Sequence, residues 1–327
     1  MPWLLLAAGI PLAWSDGGSM AFGLPVQCVM GERCWIQNYP DHDPGPGAVD
    51  YHQGSLTYDG HRGVDFRVQT LTQMRQGVAV IAAADGRVKA IRDGMPDGPA
   101  SGRIDQESIG QRLAGNGVVI DHGNGWESQY AHLRQGSVRV TPGQRVRAGD
   151  PLGWIGQSGM AQFPHVHFEV RRNGQFLDPF AAEDPDDPQG EAHPLWNAAA
   201  LQHLTYRPAG ELSAGFSATV PDDLRVADPP TETLEGRAEK LIFWVNLFGA
   251  RVGDQETMEL TAPSGSILAR HETRHERNRA RVMRYLGKPR PPTLDSWPPG
   301  RYTGSYTLTR PGEAKPLVQI TRHLDIP

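Results

Sequence analysis

Between Gly63 and Phe180 turn residues cut the chain into short apolar runs. GVDFRV (63–68), GVAVIAA (77–83), RVKAI (87–91), GVVID (117–121), WESQYAHL (126–133), PLGWIG (151–156) and HVHFEV (165–170) each hold five to eight residues. Asp-Gly, Gly-Asn-Gly, Pro-Gly and Asn-Gly turns stand between them. Runs this short and this regularly spaced do not build a helical bundle; they predict antiparallel strands in a sheet or sandwich. With 38 Gly and 28 Pro in 327 residues, the chain is turn-rich yet below the range of low-complexity disorder. From Lys240 a second set follows: LIFWVNLFG (241–249), TMELTAP (257–263), SILARHE (266–272), RYTGSYTLTR (301–310) and LVQITRHL (317–324). The expected fold class is therefore all-β, with an antiparallel sheet or sandwich over 60–182 followed by an immunoglobulin-like β-sandwich over 211–327.

The rest of the chain reads as connections. Residues 16–59 form an irregular N-terminal strap with a turn-rich DHDPGPG at 41–47. Asp41, Asp43 and Asp50 in this strap carry carboxylates of the kind that ligate calcium, but the Pro and Gly between them point to turn chemistry. A polar, Gly-rich insertion at 92–114 predicts a surface loop. The acidic, Pro-rich EDPDDPQG and VADPPTETLEG predict linkers, chiefly over 183–210, with a short helix inside HPLWNAAALQHL (193–204). RHERNRARVMR (274–284) is strongly basic and reads as a solvated loop.

Charge and hydropathy narrow the function. Lys+Arg 32 against Asp+Glu 37 gives a net charge of −5, which argues against a nucleic-acid binder. No run of 18 apolar residues occurs, so no membrane-spanning helix is expected. PWLLLAAGIPLAW (2–14) has the length of a secretory signal core, with cleavage expected after Ser15, although no Lys or Arg precedes Arg33. The expected location is periplasmic or secreted. There Cys28 and Cys34, the two cysteines of the chain, would form a disulfide. So small a loop contributes at most about 2–3 kcal/mol.

The chemistry lies in three segments. If His165-Val166-His167-Phe168-Glu169-Val170 is a strand, Val166, Phe168 and Val170 face the core. His165 and His167 then project from the other face, roughly 6–7 Å apart. Val64, Phe66 and Val68 likewise share one face, leaving His61 and Asp65 on the opposite one. Tyr130 and His132 are assigned to the non-core face in the same way. Two imidazoles and a carboxylate make the ligand set of a catalytic zinc with an open position for water. Zinc brings the pKa of water towards ~7. Two further histidines suit general-base work and stabilisation of a charged intermediate. The chemistry implied is amide hydrolysis.

GHRGVDF (60–66), GNGVVIDHGNGWESQYAHL (115–133), VTPGQRVRAGDPLGWIGQSG (140–159) and HVHFEVRRNGQFLDP (165–179), in this order, resemble the lysostaphin/LytM-type zinc endopeptidases of bacterial cell walls. The resemblance implies one Zn²⁺ per chain held by His61, Asp65 and His167, with His132 and His165 as the catalytic pair. It implies peptidoglycan peptide stems as substrate; on that reading the C-terminal sandwich, outside the resemblance, is expected to be an accessory module. It gives His122 no role, and His122 reads as a turn residue. Phe163 stands where the family usually has a small residue, which would narrow the groove, and the 92–114 insertion has no counterpart in the minimal domain. Three alternatives remain: a non-catalytic adaptor that activates other wall hydrolases, a metallopeptidase acting on proteins, and a lipoyl or biotinyl carrier. The carrier would need a lysine at a hairpin tip, and none lies in 140–170.

Overall fold

The computed structural model describes residues 20–98, 112–183, 191–222, 228–229 and 234–327. The expected signal at 1–15, the middle of the 92–114 insertion and part of each acidic linker lie outside the described residues. No helix among the described residues is long and apolar enough to cross a membrane.

The first unit is built from β1 (Cys34–Asn38), β2 (Val64–Val68), α1 (Leu71–Gln76), β3 (Ala79–Ile81), β4 (Gly86–Arg92), β5 (Asn116–Gly123), β6 (Trp126–Leu133), β7 (Arg145–Val146), β8 (Pro151–Trp154), β9 (His165–Arg172) and β10 (Gln175–Leu177). One antiparallel sheet runs β1-β2-β9-β6-β5-β4-β7, with β10 paired to the free end of β9, and β3 pairs with β8 separately. The period-two pattern decides the faces. Val64, Phe66 and Val68 of β2 and Val166, Phe168 and Val170 of β9 are fully buried on one side. Two elements depart from expectation. β1 lies inside the strap read as irregular, and α1 interrupts the chain before β3, capped by Thr70, whose side chain accepts from Gln73 N at 3.1 Å.

This core is completed from outside the sheet. Phe22 packs edge-on against Phe168 at 5.9 Å, and Trp196 lies 5.5 Å from Phe168 and 6.0 Å from Phe66 between ring centres. Phe22 N donates to Leu195 O and Asn197 N donates to Phe22 O, so the two flanking segments clasp each other across the sheet. Residues 191–204 are thus no free tether: Leu195, Trp196, Ala200 and Leu204 are buried, and the expected helix shrinks to α2 (Ala198–Leu201). Phe22→Ala is expected to cost about 3–5 kcal/mol, as for other buried aromatic truncations. Urea unfolding measures this, and a loss below about 1 kcal/mol would mean the strap is not part of the core. The Cys28–Cys34 disulfide is present at the root of β1, with Cα atoms 6.2 Å apart.

The second unit holds β11 (Gly210–Ser217), β12 (Lys240–Ala250), β13 (Gln255–Thr261), β14 (Ile267–Arg274), β15 (Arg279–Pro289), β16 (Gly300–Thr309) and β17 (Val318–Ile326). They form two antiparallel sheets, β11-β12-β15 and β14-β13-β16-β17. Leu241, Phe243, Val245 and Leu247 of one sheet share a core with Met258, Leu260, Tyr306 and Leu308 of the other. The order differs from the constant-type immunoglobulin sandwich, where the fourth strand sits beside the fifth; here β14 pairs with β13. The basic segment is a solvated loop only in part, with Arg274, Arg277 and Arg281 exposed. It runs through the β14–β15 turn into β15, where Arg284 and His275 both reach the buried carboxylate of Glu256, His275 Nε2 at 2.9 Å. Tyr306 donates its hydroxyl to the same carboxylate at 2.9 Å. A buried charge is tolerable only when paired in this way, and that requirement draws His275 and Arg284 towards Glu256.

Candidate metal centre

β2, β9 and β6 lie side by side, and their register sets the site. Asp65 is directly opposite His167, Arg67 opposite His165, and Ala131 opposite His167 from the other flank. Opposed residues share a face, so Asp65, Arg67, His165, His167 and Glu169 all stand on the side away from Phe66 and Phe168. His61 is not on a strand. It closes a turn in which its N–H donates to Tyr58 O at 3.0 Å, and from there it reaches over the end of β2. Gly63 permits this approach, because a Cβ there would stand 2.6 Å from His167 Nε2 and 2.7 Å from Phe168 O.

His132 arrives by a different route. Tyr130 is opposite Phe168, so Tyr130 faces the core, where its hydroxyl accepts from Ala83 N at 2.7 Å. The expectation that Tyr130 lies on the non-core face is therefore corrected. Strict alternation would carry His132 into the core as well. Instead β6 holds one residue more than β5 between the pairs Val118↔Tyr130 and Asn116↔Leu133. At this bulge His132 adopts φ 60°, a left-handed conformation uncommon outside glycine. The ring swings to the site face, 4.7 Å from His165 and 6.1 Å from His167 between ring centres. The Ser158 carbonyl accepts from His132 Nδ1 at 2.7 Å.

All five sequence-derived residues thus meet. His61 Nε2 lies 3.2 Å from Asp65 Oδ1 and 3.2 Å from His167 Nδ1, and His167 Nδ1 lies 2.9 Å from Asp65 Oδ1. Donor atoms 2.0–2.1 Å from a tetrahedral zinc stand roughly 3.3 Å apart, so these three atoms fit that ion. His165 Nε2 is 3.5 Å from Asp65 Oδ1, at the edge of the same cluster. The turn carboxylates of the strap do otherwise: Asp41, Asp43 and Asp50 accept backbone N–H groups of their own loops.

Hydrogen bonds set the tautomers. His61, His132 and His165 each direct Nδ1 at a backbone carbonyl, of Tyr39, Ser158 and Phe163, at 2.7, 2.7 and 2.8 Å. Nδ1 is therefore the protonated nitrogen in each, and Nε2 carries the lone pair. His167 is reversed, with Nδ1 in the cluster and Nε2 3.8 Å from Glu169 Oε2. Burial, then the charges of His165 and His167, holds His132 down to about 3. Burial also lowers His165. Burial works against charge on His167, yet the hydrogen bonds to Asp65 and Glu169 raise it to about 9. Burial likewise opposes charge on Asp65, but His61 and His165, with hydrogen bonds from His167 and His61, keep it well below the usual carboxylate range.

Sequence reading missed the supporting shell. Asn38 Nδ2 donates to Asp65 Oδ2 at 2.8 Å, leaving Oδ1 for the cluster. Glu169 was legible, since it continues the i, i+2 face of His165 and His167. Asn38 was signalled only by the strand-like CWIQN run. His122 is also corrected: it is a buried residue of β5, bonded to Asp85 O at 2.6 Å and Ser128 Oγ at 2.7 Å. Asn38→Ala is expected to weaken metal binding by about 10–100-fold, the usual effect of losing a group that orients a ligand. A chelator competition titration measures it, and unchanged affinity would remove Asn38 from the site.

One β-sheet face thus brings two imidazoles and a carboxylate to the spacing of a possible metal-binding group, beside two further histidines. Residues 59–179 match the model of peptidase family M23, so this part of the chain is a peptidase family M23 domain. It is similar to the DD-carboxypeptidase/endopeptidase Mpg of Neisseria meningitidis, 32% identical over 131 residues, 39% of this chain and 24% of that protein. It is also similar to the murein hydrolase activator EnvC of Escherichia coli, 36% identical over 110 residues, 33% of this chain and 23% of that protein. A crystal structure of a zinc containing peptidase from Vibrio cholerae overlaps 51% of this chain and 41% of its own, with 25% identity and a TM-score of 0.34. The chain spans less than a quarter of the length of the two curated relatives.

Proposed function

We propose that this protein is a zinc-dependent endopeptidase that hydrolyses peptide cross-links of peptidoglycan, in the periplasm or after secretion. The observation that carries the reading is the set of donor atoms of His61, Asp65 and His167, 2.9 to 3.2 Å apart, beside two histidines whose Nδ1 atoms face backbone carbonyls. His61, Asp65 and His167 would hold one Zn²⁺. A bound zinc supplies a Lewis acid that acidifies water and polarises a carbonyl. The chain's own residues do the rest. His132 and His165 are neutral at pH 7, so either Nε2 can accept the proton of the attacking water. Once protonated, the same Nε2–H can donate to the oxyanion or to the leaving amine. Asn38 and Glu169 keep Asp65 and His167 in register. The sandwich over 211–327 is an accessory module to a peptidase domain over 60–182.

The similarity to EnvC favours one other reading, an activator of other wall hydrolases. The two separate on purified sacculi digested with and without zinc, with released muropeptides identified by mass spectrometry. Zinc-dependent loss of cross-linked dimers is the expected result. Intact cross-links with one zinc bound per chain would exclude the endopeptidase.

A further inference from the structure

Arg67 is a buried cation whose hydrogen bonds all go to neutral groups. It is 5% exposed. Its Nε donates to Val68 O at 3.1 Å, its Nη2 to Gln69 O at 3.3 Å and its Nη1 to the Gln37 side-chain oxygen. No carboxylate pairs with it among the described residues. Burying a guanidinium without an anion is unfavourable. Among the described residues its five N–H donors meet three acceptors, all neutral.

The place of this charge matters. Arg67 stands opposite His165 across the β2–β9 pairing, and two residues from Asp65 on the same face. The half-buried Phe163 roofs it, with the guanidinium carbon 4.7 Å from the ring centre, and that ring is 4.6 Å from His165. Among the described residues, Phe163 is thus the one ring that touches both the guanidinium and His165. We propose that Arg67 and the Phe163 roof form a carboxylate subsite, so that the preferred substrate carries a free carboxylate beside the scissile amide. This rests on the endopeptidase reading and deepens it. In a cross-link from D-alanine to diaminopimelate, the carbon bearing the scissile nitrogen also bears a carboxylate. A glycyl bridge has none within its chain. A guanidinium matches a carboxylate with two parallel hydrogen bonds, and the ligand would supply the missing counter-charge.

The test uses the full zinc-loaded chain and two synthetic probes: N-acetyl-D-alanyl-diaminopimelate joined through the cross-link amide, and its twin with the adjacent carboxylate converted to carboxamide. The acid is expected to be cleaved about 10–100-fold more efficiently, mostly through KM, the range for a hydrogen bond to a charged group. Arg67→Gln should cleave both alike, and Arg67→Lys should recover part of the preference. Equal turnover of acid and amide by the unaltered protein, or a preference that survives Arg67→Gln, overturns the proposal. The first comparison needs no variant, so misfolding of Arg67→Gln does not blunt it. If neither probe is cleaved, the endopeptidase reading has failed, and calorimetric binding of the same two probes decides the subsite. Tighter binding of the acid upholds it; equal binding or none overturns it.

Discussion

His167→Ala is expected to remove both zinc and activity. His167 Nδ1 sits 2.9 Å from Asp65 Oδ1 and 3.2 Å from His61 Nε2, so it closes the three-atom set. Two ligands do not hold zinc against dilution as three do, and without the metal no Lewis acid faces the amide. kcat/KM on cross-linked muropeptides should fall by at least about 10³-fold, close to the contribution of the metal itself. Metal content by elemental analysis should fall below one zinc per chain at the same time. Full zinc retention with lost activity would place His167 outside the ligand set. The same residue predicts a pH dependence. In the metal-free protein His167 is raised to about 9, so at neutral pH it holds a proton that zinc must displace. Apparent zinc affinity should therefore rise with pH, by about tenfold per unit below the His167 value. A flat profile between pH 6 and 8 would contradict this ligand assignment.

His132→Ala is the complementary case, with metal retained and catalysis lost. His132 donates no atom to the three-atom cluster, and its ring centre is 6.1 Å from that of His167. One zinc per chain should remain. Loss of a positioned acid–base group typically lowers rate by about 10²–10⁴-fold. The fall should appear in kcat, because the group acts on the proton in flight. If His132→Ala keeps wild-type kcat, then His165 alone carries the proton. If it loses zinc, the bulge that aims His132 also props the ligands. Against the expected outcome for His132→Ala, Asn38→Ala should show the opposite balance, with weaker metal binding but normal turnover at saturating zinc.

Much of the site is local, and local geometry is legible. His165, His167 and Glu169 share a face because a strand alternates with period two, and nothing distant is needed to know it. The same holds for Asp65 against Val64 and Phe66. The short runs and turn dipeptides equally required antiparallel β-structure in both halves of the chain. Reading failed where an element departs from its own period. Tyr130 and His132 are two apart, so alternation places them together, yet they end on opposite sides. The extra residue in β6 and a backbone at φ 60° separate them, and neither leaves a mark in WESQYAHL.

Other features depend on contacts between residues far apart in sequence. Asn38 and the Tyr39 carbonyl orient Asp65 and His61 from 27 and 22 positions earlier, which only the pairing of β1 with β2 brings about. Phe22 and Trp196 enclose the sheet from both ends of the peptidase segment. Arg274–Arg284 looked like solvated charge, but the buried Glu256 carboxylate draws part of it into the sandwich. Side-chain period and turn chemistry act within a few residues, so the chain encodes strands, faces and the His-x-His pair directly. Pairing register, bulges and the partner of a buried charge are settled by what packs against what. The clustering of His61, Asp65 and His167, the turned His132 and the burial of Arg67 opposite His165 therefore exist only in the folded molecule.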